Sequence, residues 1–234
     1  MKRSEINAAV RTAEAFMAQM QVHLPPFARW TPLDWAELQR WPESQGTVRE
    51  LSERQLGWDV TDFGSGAYAR TGLCLFALRN GVPGVAGQTY AEKLLVVGVE
   101  QHTPMHFHWH KTEDIINRGG GVLAIRLQMS TDDGGLGTLS PVVFSDGRTV
   151  TVHAGGVLRL YPGESVTLTP LLYHEFWAED APVLVGEVSS INDDAGDNRF
   201  LNPLGRFPTI DEDEAPYRLL VGDLTLLAEQ HGAR

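Results

Sequence analysis

The feature that most restricts the fold of this chain is a long succession of short apolar runs that begins near Gly57. Turn-forming pairs such as Asn80-Gly81, Asp133-Gly134 and Asp146-Gly147 separate several of these runs. About nine or ten short strands with no long helix between them predict an antiparallel sandwich or a small barrel. The clearest runs are 73–78, 93–99, 122–129, 139–144, 149–152, 157–161, 165–168, 174–177 and 183–188.

The residues before this region have a helical pattern instead. Apolar side chains recur at helical spacing and predict a helix from Ser4 to about Gln21. The sequence Thr31-Pro32-Leu33-Asp34 is typical of a helix start, with a capping hydroxyl and a proline in the first turn. We predict a helical extension over residues 1–56 packed on a single β-barrel domain, 57–234, with a short C-terminal helix near 219–230.

Composition excludes several classes of function. The net charge of −11 argues against nucleic acid or an anionic membrane as a partner. No stretch approaches the ~18 consecutive apolar residues of a membrane span, and no secretory signal is evident. The single cysteine, Cys74, excludes an internal disulfide and is typical of a reducing cytosol. We therefore expect a cytoplasmic protein, and a homodimer as its assembly because that is the commonest oligomer.

The densest titratable chemistry lies in residues 105–121, MHFHWHKTEDIINRGGG. His106 and His108 are two residues apart, a spacing that places both imidazoles on one face of a strand. A turn after His108 can return the carboxylate of Glu113 to the same ion. Neutral imidazole and carboxylate together suit divalent Mn, Fe, Co, Ni or Zn, and the absence of a thiolate argues against a structural zinc site.

This His-x-His-x4-Glu spacing resembles the first motif of the cupins, which are small antiparallel double-sheet barrels. The resemblance implies a mainly β fold, a double-stranded β-barrel or jelly roll, and a fourth ligand from a histidine in a second motif. His174 occupies that position, although Leu172 replaces the usual glycine of the motif. His153 is the alternative, but it lies beside Gly155-Gly156 in a segment typical of a turn.

A hairpin near residues 179–182 would add a carboxylate to this site. If 174–178 and 183–188 form its two strands, His174 lies opposite Glu187 on the same face. Glu187 is then expected to point into the barrel beside the metal. A shift of one residue in the register would turn it outward.

The predicted ligands leave about two positions on an octahedral ion for adjacent oxygens of a substrate. Lys111 and a nearby carboxylate are then the natural groups to move protons. The combination favours aldose–ketose isomerisation, in which a carboxylate transfers a proton between C2 and C1 while Lys111 helps the oxygens exchange theirs.

Four longer segments resemble the D-lyxose isomerase family of cupins, within a match that covers about residues 92–217: TPMHFHWHKTEDIINRGGG, YPGESVTLTPLLYHEFW, GEVSSINDDAGDNRF and GRFPTIDEDEAP. The resemblance implies a divalent metal, usually Mn²⁺. It also implies interconversion of D-lyxose with D-xylulose, and of D-mannose with D-fructose, through a cis-enediol.

The resemblance assigns roles residue by residue. The implied metal ligands are His106, His108, Glu113 and His174. Lys111 takes the place of the family's lysine, and the carboxylate that transfers the proton is either Glu187 or Glu212. Asp193, Asp197 and Arg199 lie in a polar loop that can bind sugar hydroxyls, although turn formation and ion pairing explain them equally well. His110 is expected to face away from the metal.

Two other functions are compatible with the same ligands. An Fe(II) cupin dioxygenase would use the same metal ligands to activate O₂, but it has no evident use for Lys111 and the acids around it. A non-catalytic sugar-binding or storage cupin is the third reading, and the intact ligand set with a lysine between its members argues against it.

Overall fold

The computed structural model describes residues 1–41, 44–205 and 209–225, which form a mainly antiparallel β protein. The labelled helices are α1 (Arg3–Gln19), the 3₁₀ helix Pro26–Arg29, α2 (Pro32–Leu38) and α3 (Gln45–Glu53). The strands are β1 (Gly57–Thr61), β2 (Leu73–Arg79), β3 (Tyr90–Val97), β4 (His106–His108), β5 (Glu113–Met129), β6 (Val142–Ser145), β7 (Arg148–Thr151), β8 (Gly156–Leu160), β9 (Ser165–Leu168), β10 (Leu172–Ser190) and β11 (Asn198–Phe200).

Two long strands, β5 and β10, pair with each other along most of their length. The second half of β10 continues to β3, β2 and β1, and the first half of β5 continues to β9, β6 and β7. The first half of β10 pairs instead with β4 and then β11, and the second half of β5 pairs with β8. The long strands are therefore shared between two sheets.

Glycine allows β5 to pass from one sheet to the other. Gly119 and Gly120 have φ angles of 145° and 102°, values that favour glycine. A Cβ on Gly120 would lie 2.0 Å from the backbone oxygen of Pro182. On the other side of the ladder, β10 bulges over residues 179–183. The glycines and the bulge together mark the position where both long strands change sheets.

The two sheets enclose one apolar core. Leu95 and Val185 reach it from one sheet, and Ile125 and Phe176 reach it from the other. All four side chains are buried. Burial of a side chain of this size contributes ~1.5–3 kcal/mol. This arrangement confirms the antiparallel fold that the succession of short strands predicts, in the double-sheet form that the resemblance to cupins implies.

Helix α1 packs on the outer face of the sheet that contains β1 and β2. Its apolar stripe, with Ile6, Val10 and Met17, joins Trp58 and Phe76 in a second apolar cluster. The amphipathic pattern of the N-terminal segment therefore identified the buried face of the helix. The division of the chain into a helical extension, residues 1–56, and a barrel domain, residues 57–234, remains a prediction.

The helix boundaries match the sequence signals in part. Helix α1 begins at Arg3, before the predicted Ser4 cap, and the carboxylate of Glu5 accepts the backbone N–H of Lys2. Helix α2 begins as predicted, since Thr31 and Asp34 exchange capping hydrogen bonds. Helix α3 was not predicted from the sequence.

Residues 221–225 are helical and residues 219 and 220 are not, while residues 226–230 of the predicted C-terminal helix lie outside the described residues. Among the described helices, none has the length and apolar character needed to cross a membrane.

The predicted hairpin turn at residues 179–182 is wrong, because β10 runs through it as one irregular strand. His174 lies opposite His106, and Glu187 lies opposite Lys93. His174 and Glu187 are separated by an odd number of positions, which would place them on opposite faces of a regular strand. The bulge between them shifts the register, so both side chains face the interior.

The turn signals had different outcomes. Asp146 and Gly147 form the two-residue turn between β6 and β7, with φ angles of 47° and 82°. Positive φ at both central positions is the geometry of a type I′ hairpin. Asn80-Gly81 does not form such a tight turn, because a longer connection, residues 80–89, separates β2 from β3.

Candidate active site

Strands β4 and β10 bring three histidines together inside the barrel. His106 and His108 flank Phe107, which alternation directs to the other side of the strand. His174 on β10 lies opposite His106. Ligand nitrogens of the three imidazoles lie within 4.8 Å of one another. The structure therefore brings together the three histidines predicted as ligands, while His153 is exposed in the connection from β7 to β8.

Backbone carbonyls orient two of these imidazoles. Nδ1 of His106 lies 2.7 Å from the oxygen of Pro104, and Nδ1 of His174 lies 3.0 Å from the oxygen of Leu172. A carbonyl only accepts, so each Nδ1 donates to it, and in a neutral ring this leaves a lone pair on Nε2. Burial lowers the pKa of His106 well below its usual range, with added effects of His174 and His108. Burial likewise lowers the pKa of His108.

The contacts of Glu113 indicate that a cation belongs at this cluster. Its Oε1 lies 3.1 Å from Nε2 of His174 and 3.5 Å from Nε2 of His108. A neutral His174 ring that donates from Nδ1 has an acceptor at Nε2, and the facing carboxylate oxygen is also an acceptor. Among the described residues, this buried Nε2 has no hydrogen-bond partner, a loss that costs ~1–3 kcal/mol. The three histidines can hold a divalent metal ion, and the carboxylate of Glu113 lies beside them.

Lys111 is buried between two carboxylates. Its Nζ lies 2.7 Å from Oε2 of Glu113 and 3.0 Å from Oε1 of Glu187. Burial acts to lower the pKa of Lys111, but Glu113 and Glu187 outweigh it and hold this pKa above its usual range. Burial acts to raise the pKa of each carboxyl group, and the adjacent positive charges, chiefly Lys111, bring each below its usual value. The site therefore contains an ammonium group held between two ionised carboxylates.

Asp197 fixes the turn that presents Lys111. Its carboxylate accepts hydrogen bonds from the backbone N–H groups of His110 and Lys111 at 2.9 and 3.0 Å. Its backbone oxygen accepts one from the backbone N–H group of Trp109 at 3.1 Å. The side chain of His110 is exposed, in agreement with the prediction that it faces away from the metal. Asp197 thus holds the loop in place.

The other predicted sugar-binding residues lie at the edge of the site. The carboxylate of Asp193 accepts N–H groups of its own turn, from Ala195 and Gly196. Arg199 is exposed on β11, whereas its neighbours Asn198 and Phe200 line the cavity. Alternation along this short strand accounts for the difference.

The structure does not bring Glu212 to the cluster. Its carboxylate forms an ion pair with Arg3 at the start of α1, with the closest N–O distance 2.6 Å. This side chain is 55% exposed, whereas that of Glu187 is 6% exposed. Of the two carboxylates proposed for proton transfer, Glu187 is the one that faces the cavity.

Sequence reasoning missed a second group of polar residues in the cavity. Lys93 on β3 is buried, with its Nζ 3.3 Å from Oε1 of Glu187 and 2.6 Å from Oδ1 of Asn192. Period-two alternation was the available signal, because Lys93 shares a face with Leu95, which lies in the core. Asp194 also lines the cavity and lies 3.7 Å from Lys93.

The cavity is lined by both polar and apolar side chains. Its lining residues are Phe63, Leu73, Leu75, Lys93, Leu95, Thr103, His106, His108, Lys111, Glu113, Ile115, His174, Phe176, Glu187, Asp194, Asn198 and Phe200. A few convergent polar groups in an apolar cleft are typical of a small-molecule site.

The fold and the buried histidine cluster define a cupin-type barrel, and solved structures share this fold. One is the Cellulomonas parahominis L-ribose isomerase with L-ribose, with a TM-score of 0.60 and 17% identity, covering 90% of this chain and 98% of that one. Another is the Acinetobacter sp. DL28 L-ribose isomerase mutant in complex with L-ribose, with a TM-score of 0.60, 16% identity and the same two coverages. At this identity the similarity establishes the fold alone.

Sequence relatives are much closer. The family model described as D-lyxose isomerase matches residues 1–224. The D-lyxose/D-mannose isomerase of Serratia proteamaculans is 50% identical over 224 residues, covering 94% of this chain and 96% of the relative. The protein of that name from Escherichia coli O157:H7 is 47% identical over 229 residues, covering 95% and 98%. The chain therefore belongs to the D-lyxose isomerase family and is an isomerase, which confirms the resemblance seen in its motifs.

Proposed function

We propose that this protein is a divalent-metal-dependent aldose–ketose isomerase that interconverts D-lyxose with D-xylulose, and D-mannose with D-fructose. The observation that carries the proposal is the buried Lys111–Glu187 pair, 3.0 Å apart, beside the three-histidine cluster. The names of the relatives support the choice of sugars.

His106, His108, His174 and Glu113 are the proposed metal ligands. We propose Mn²⁺ as the ion, although Co²⁺, Ni²⁺, Fe²⁺ and Zn²⁺ also accept imidazole and carboxylate donors. A cation bound there supplies Lewis-acid polarisation of the sugar's oxygens at C1 and C2. The Nδ1 hydrogen bonds to Pro104 and Leu172 direct the free lone pairs of two of the imidazoles.

Glu187 is the proposed proton carrier. Its ionised carboxylate takes the proton from C2 of the aldose and returns it to C1 of the cis-enediol, so the carbon-bound proton count is unchanged. Lys111 donates a proton to O1 of the aldose and recovers one from O2, which leaves the ketone at C2. Contacts with both carboxylates hold the ammonium group where these exchanges require it.

Sugar hydroxyls beyond C2 are proposed to bind the loop 193–199. Asp194 and Asn198 line the cavity and are the members of this loop that face it. Asp197 contributes by fixing the turn before Lys111. Direct contacts of Asp193 and Arg199 with the sugar remain a prediction from the sequence.

The alternatives explain less of the site. A dioxygenase or a storage cupin would retain the histidines but has no role for a lysine buried between two carboxylates. Charged groups of this kind are costly to bury, and proton transfer gives them a function. We also propose that the enzyme acts in the cytoplasm as a homodimer. Light scattering will test the assembly by measuring its mass.

The test is a ketose assay on metal-free enzyme reconstituted with single divalent ions. A panel of aldopentoses and aldohexoses should identify D-lyxose and D-mannose as substrates, with Mn²⁺ restoring the highest rate. Oxygen uptake with a catechol or a thiol, and no ketose from any aldose with any ion, would overturn the proposal.

A further inference from the structure

Lys93 is a second buried lysine, and the isomerisation described above leaves it without a role. Its Cα lies opposite that of Glu187 in the pairing of β3 with β10. The Nζ atom lies 3.3 Å from Oε1 of Glu187, in a cavity whose neighbouring wall includes Leu95. Removing an ammonium group from water costs several kcal/mol, so a buried lysine on this otherwise apolar face requires compensating partners.

A rigid polar support holds Lys93 in place. Oδ1 of Asn192 accepts from Lys93 at 2.6 Å and from Lys111 at 3.4 Å. Asn192 is fixed in turn by Asn80, since each donates an N–H group to an oxygen of the other at 2.9 Å. One oxygen atom therefore contacts both ammonium groups, closely for Lys93 and more distantly for Lys111.

The two lysines bind the same oxygen of Glu187. Lys111 lies 3.0 Å and Lys93 lies 3.3 Å from Oε1. They approach from different elements, Lys111 from the turn before β5 and Lys93 from β3. Two contacts to one oxygen restrict rotation of the carboxylate and leave Oε2 as the oxygen that the lysines do not hold.

We propose that Lys93 is a positioning residue that fixes the carboxylate of Glu187 for proton transfer. This inference rests on the proposed role of Glu187 in isomerisation. Among the described contacts, Lys93 reaches neither the histidines nor Glu113, so it acts through Glu187 and does not contribute to metal binding. Misplacing a reacting group by about 1 Å can cost about 100-fold in rate, which sets the size of the expected effect.

A double-mutant cycle on Mn²⁺-loaded enzyme with D-lyxose tests this role. Lys93→Met should lower kcat about 10- to 100-fold and change KM by less than about threefold. In the Glu187→Gln background the same substitution should lower kcat no further, because the group that Lys93 positions no longer accepts a proton. Wild-type kcat in the single variant, or losses that multiply in the double variant, would overturn the inference.

Two further variants keep the test decisive. Asn192→Ala retains the charge of Lys93 but removes its 2.6 Å anchor, and should lower kcat less than Lys93→Met does while obeying the same non-additivity. It replaces Lys93→Met if that variant does not fold, and a wild-type kcat would then count against the inference. Lys93→Arg keeps the charge and should recover part of the lost kcat.

Glu92→Gln is the matched control, because Glu92 faces the other side of β3 and binds Arg79 at 2.7 Å. Its kcat should match the wild type. A Glu187→Gln enzyme with wild-type activity would overturn the proposed mechanism itself, so the two failures are distinguishable.

Discussion

The two ends of the cavity differ in how their buried polar groups are paired. At the metal end, formed by His106, His108 and His174, the buried Nε2 of His174 lies 3.1 Å from an oxygen of Glu113 and has no hydrogen-bond partner among the described residues. At the charged end, formed by Lys93, Lys111 and Glu187, each ammonium lies 3.0 to 3.3 Å from the carboxylate. The metal end can hold a cation, whereas the charges of the charged end are balanced by the protein itself.

This difference separates the two functions of the site. An end that the protein leaves unsatisfied is suited to bind an ion, because ion binding relieves the unpaired lone pairs. An end that is already ionised and hydrogen-bonded is prepared for proton transfer before substrate arrives. Substitutions at the two ends should therefore have separable effects on metal content, rate and stability.

The largest expected effect is at the metal end. Replacing His174 with Leu removes one of the two buried nitrogens of the cluster that have no described hydrogen-bond partner, and retains much of the volume. We expect the bound Mn²⁺ to be lost and kcat to fall about 10⁴-fold, since metal catalysis contributes several kcal/mol to the transition state. Elemental analysis of dialysed protein and a ketose assay measure the two quantities. Retention of one ion per chain would contradict the ligand assignment.

Glu187→Gln should produce the next largest effect, and only on rate. The amide keeps the shape of the side chain but cannot take a proton, so kcat should fall about 10²- to 10⁴-fold. Metal content should equal that of the wild type, because Glu187 contacts the two lysines and lies outside the histidine cluster. A parallel loss of metal would show that the two ends are not independent.

Lys111→Met should distinguish the ends by the stability of the metal-free protein. It leaves the buried carboxylates of Glu113 and Glu187 without their shared cation. We expect the free energy of unfolding to fall by ~3–5 kcal/mol in urea denaturation. His174→Leu should change the metal-free stability by less than ~1.5 kcal/mol, because it replaces an unsatisfied polar group with an apolar one of similar volume. If both variants lost the same free energy of unfolding, the proposed difference between the metal end and the charged end would be wrong.

The smallest effect is expected outside the cavity. Glu212→Gln removes a carboxylate that pairs with Arg3 and is 55% exposed. We expect kcat to stay within about twofold of the wild type, because the described contacts of this carboxylate are with Arg3 and with none of the residues that line the cavity. A loss comparable to that of Glu187→Gln would transfer the proton-carrying role to Glu212.

The two ends also differ in how far the sequence predicts them. His106, His108 and Glu113 lie within one short segment, and a period of two on a strand is enough to place the histidines together. Lys93 reaches Glu187 only through the pairing of β3 with β10, a contact between distant segments that local patterns do not specify. For this reason Lys93 and Asn192 were missed.

The prediction for Glu187 was right about its direction and wrong about the cause. A hairpin at residues 179–182 was expected, but β10 is continuous and carries a bulge there. The glycines of β5 marked the position of that irregularity, since Gly120 has no room for a Cβ against Pro182. Bulges depend on the partner strand, and a single segment therefore does not reveal them.

The central claim is that a carboxylate carries a proton between two carbons of the sugar. Equilibrating D-lyxose with the Mn²⁺-loaded enzyme in D₂O, over many turnovers and with NMR detection, tests it most directly. The account predicts deuterium at C1 of D-xylulose and at C2 of D-lyxose, because the acidic group exchanges with solvent between turnovers. Full equilibration of the two sugars with no deuterium on either carbon would contradict it and indicate a direct hydride shift.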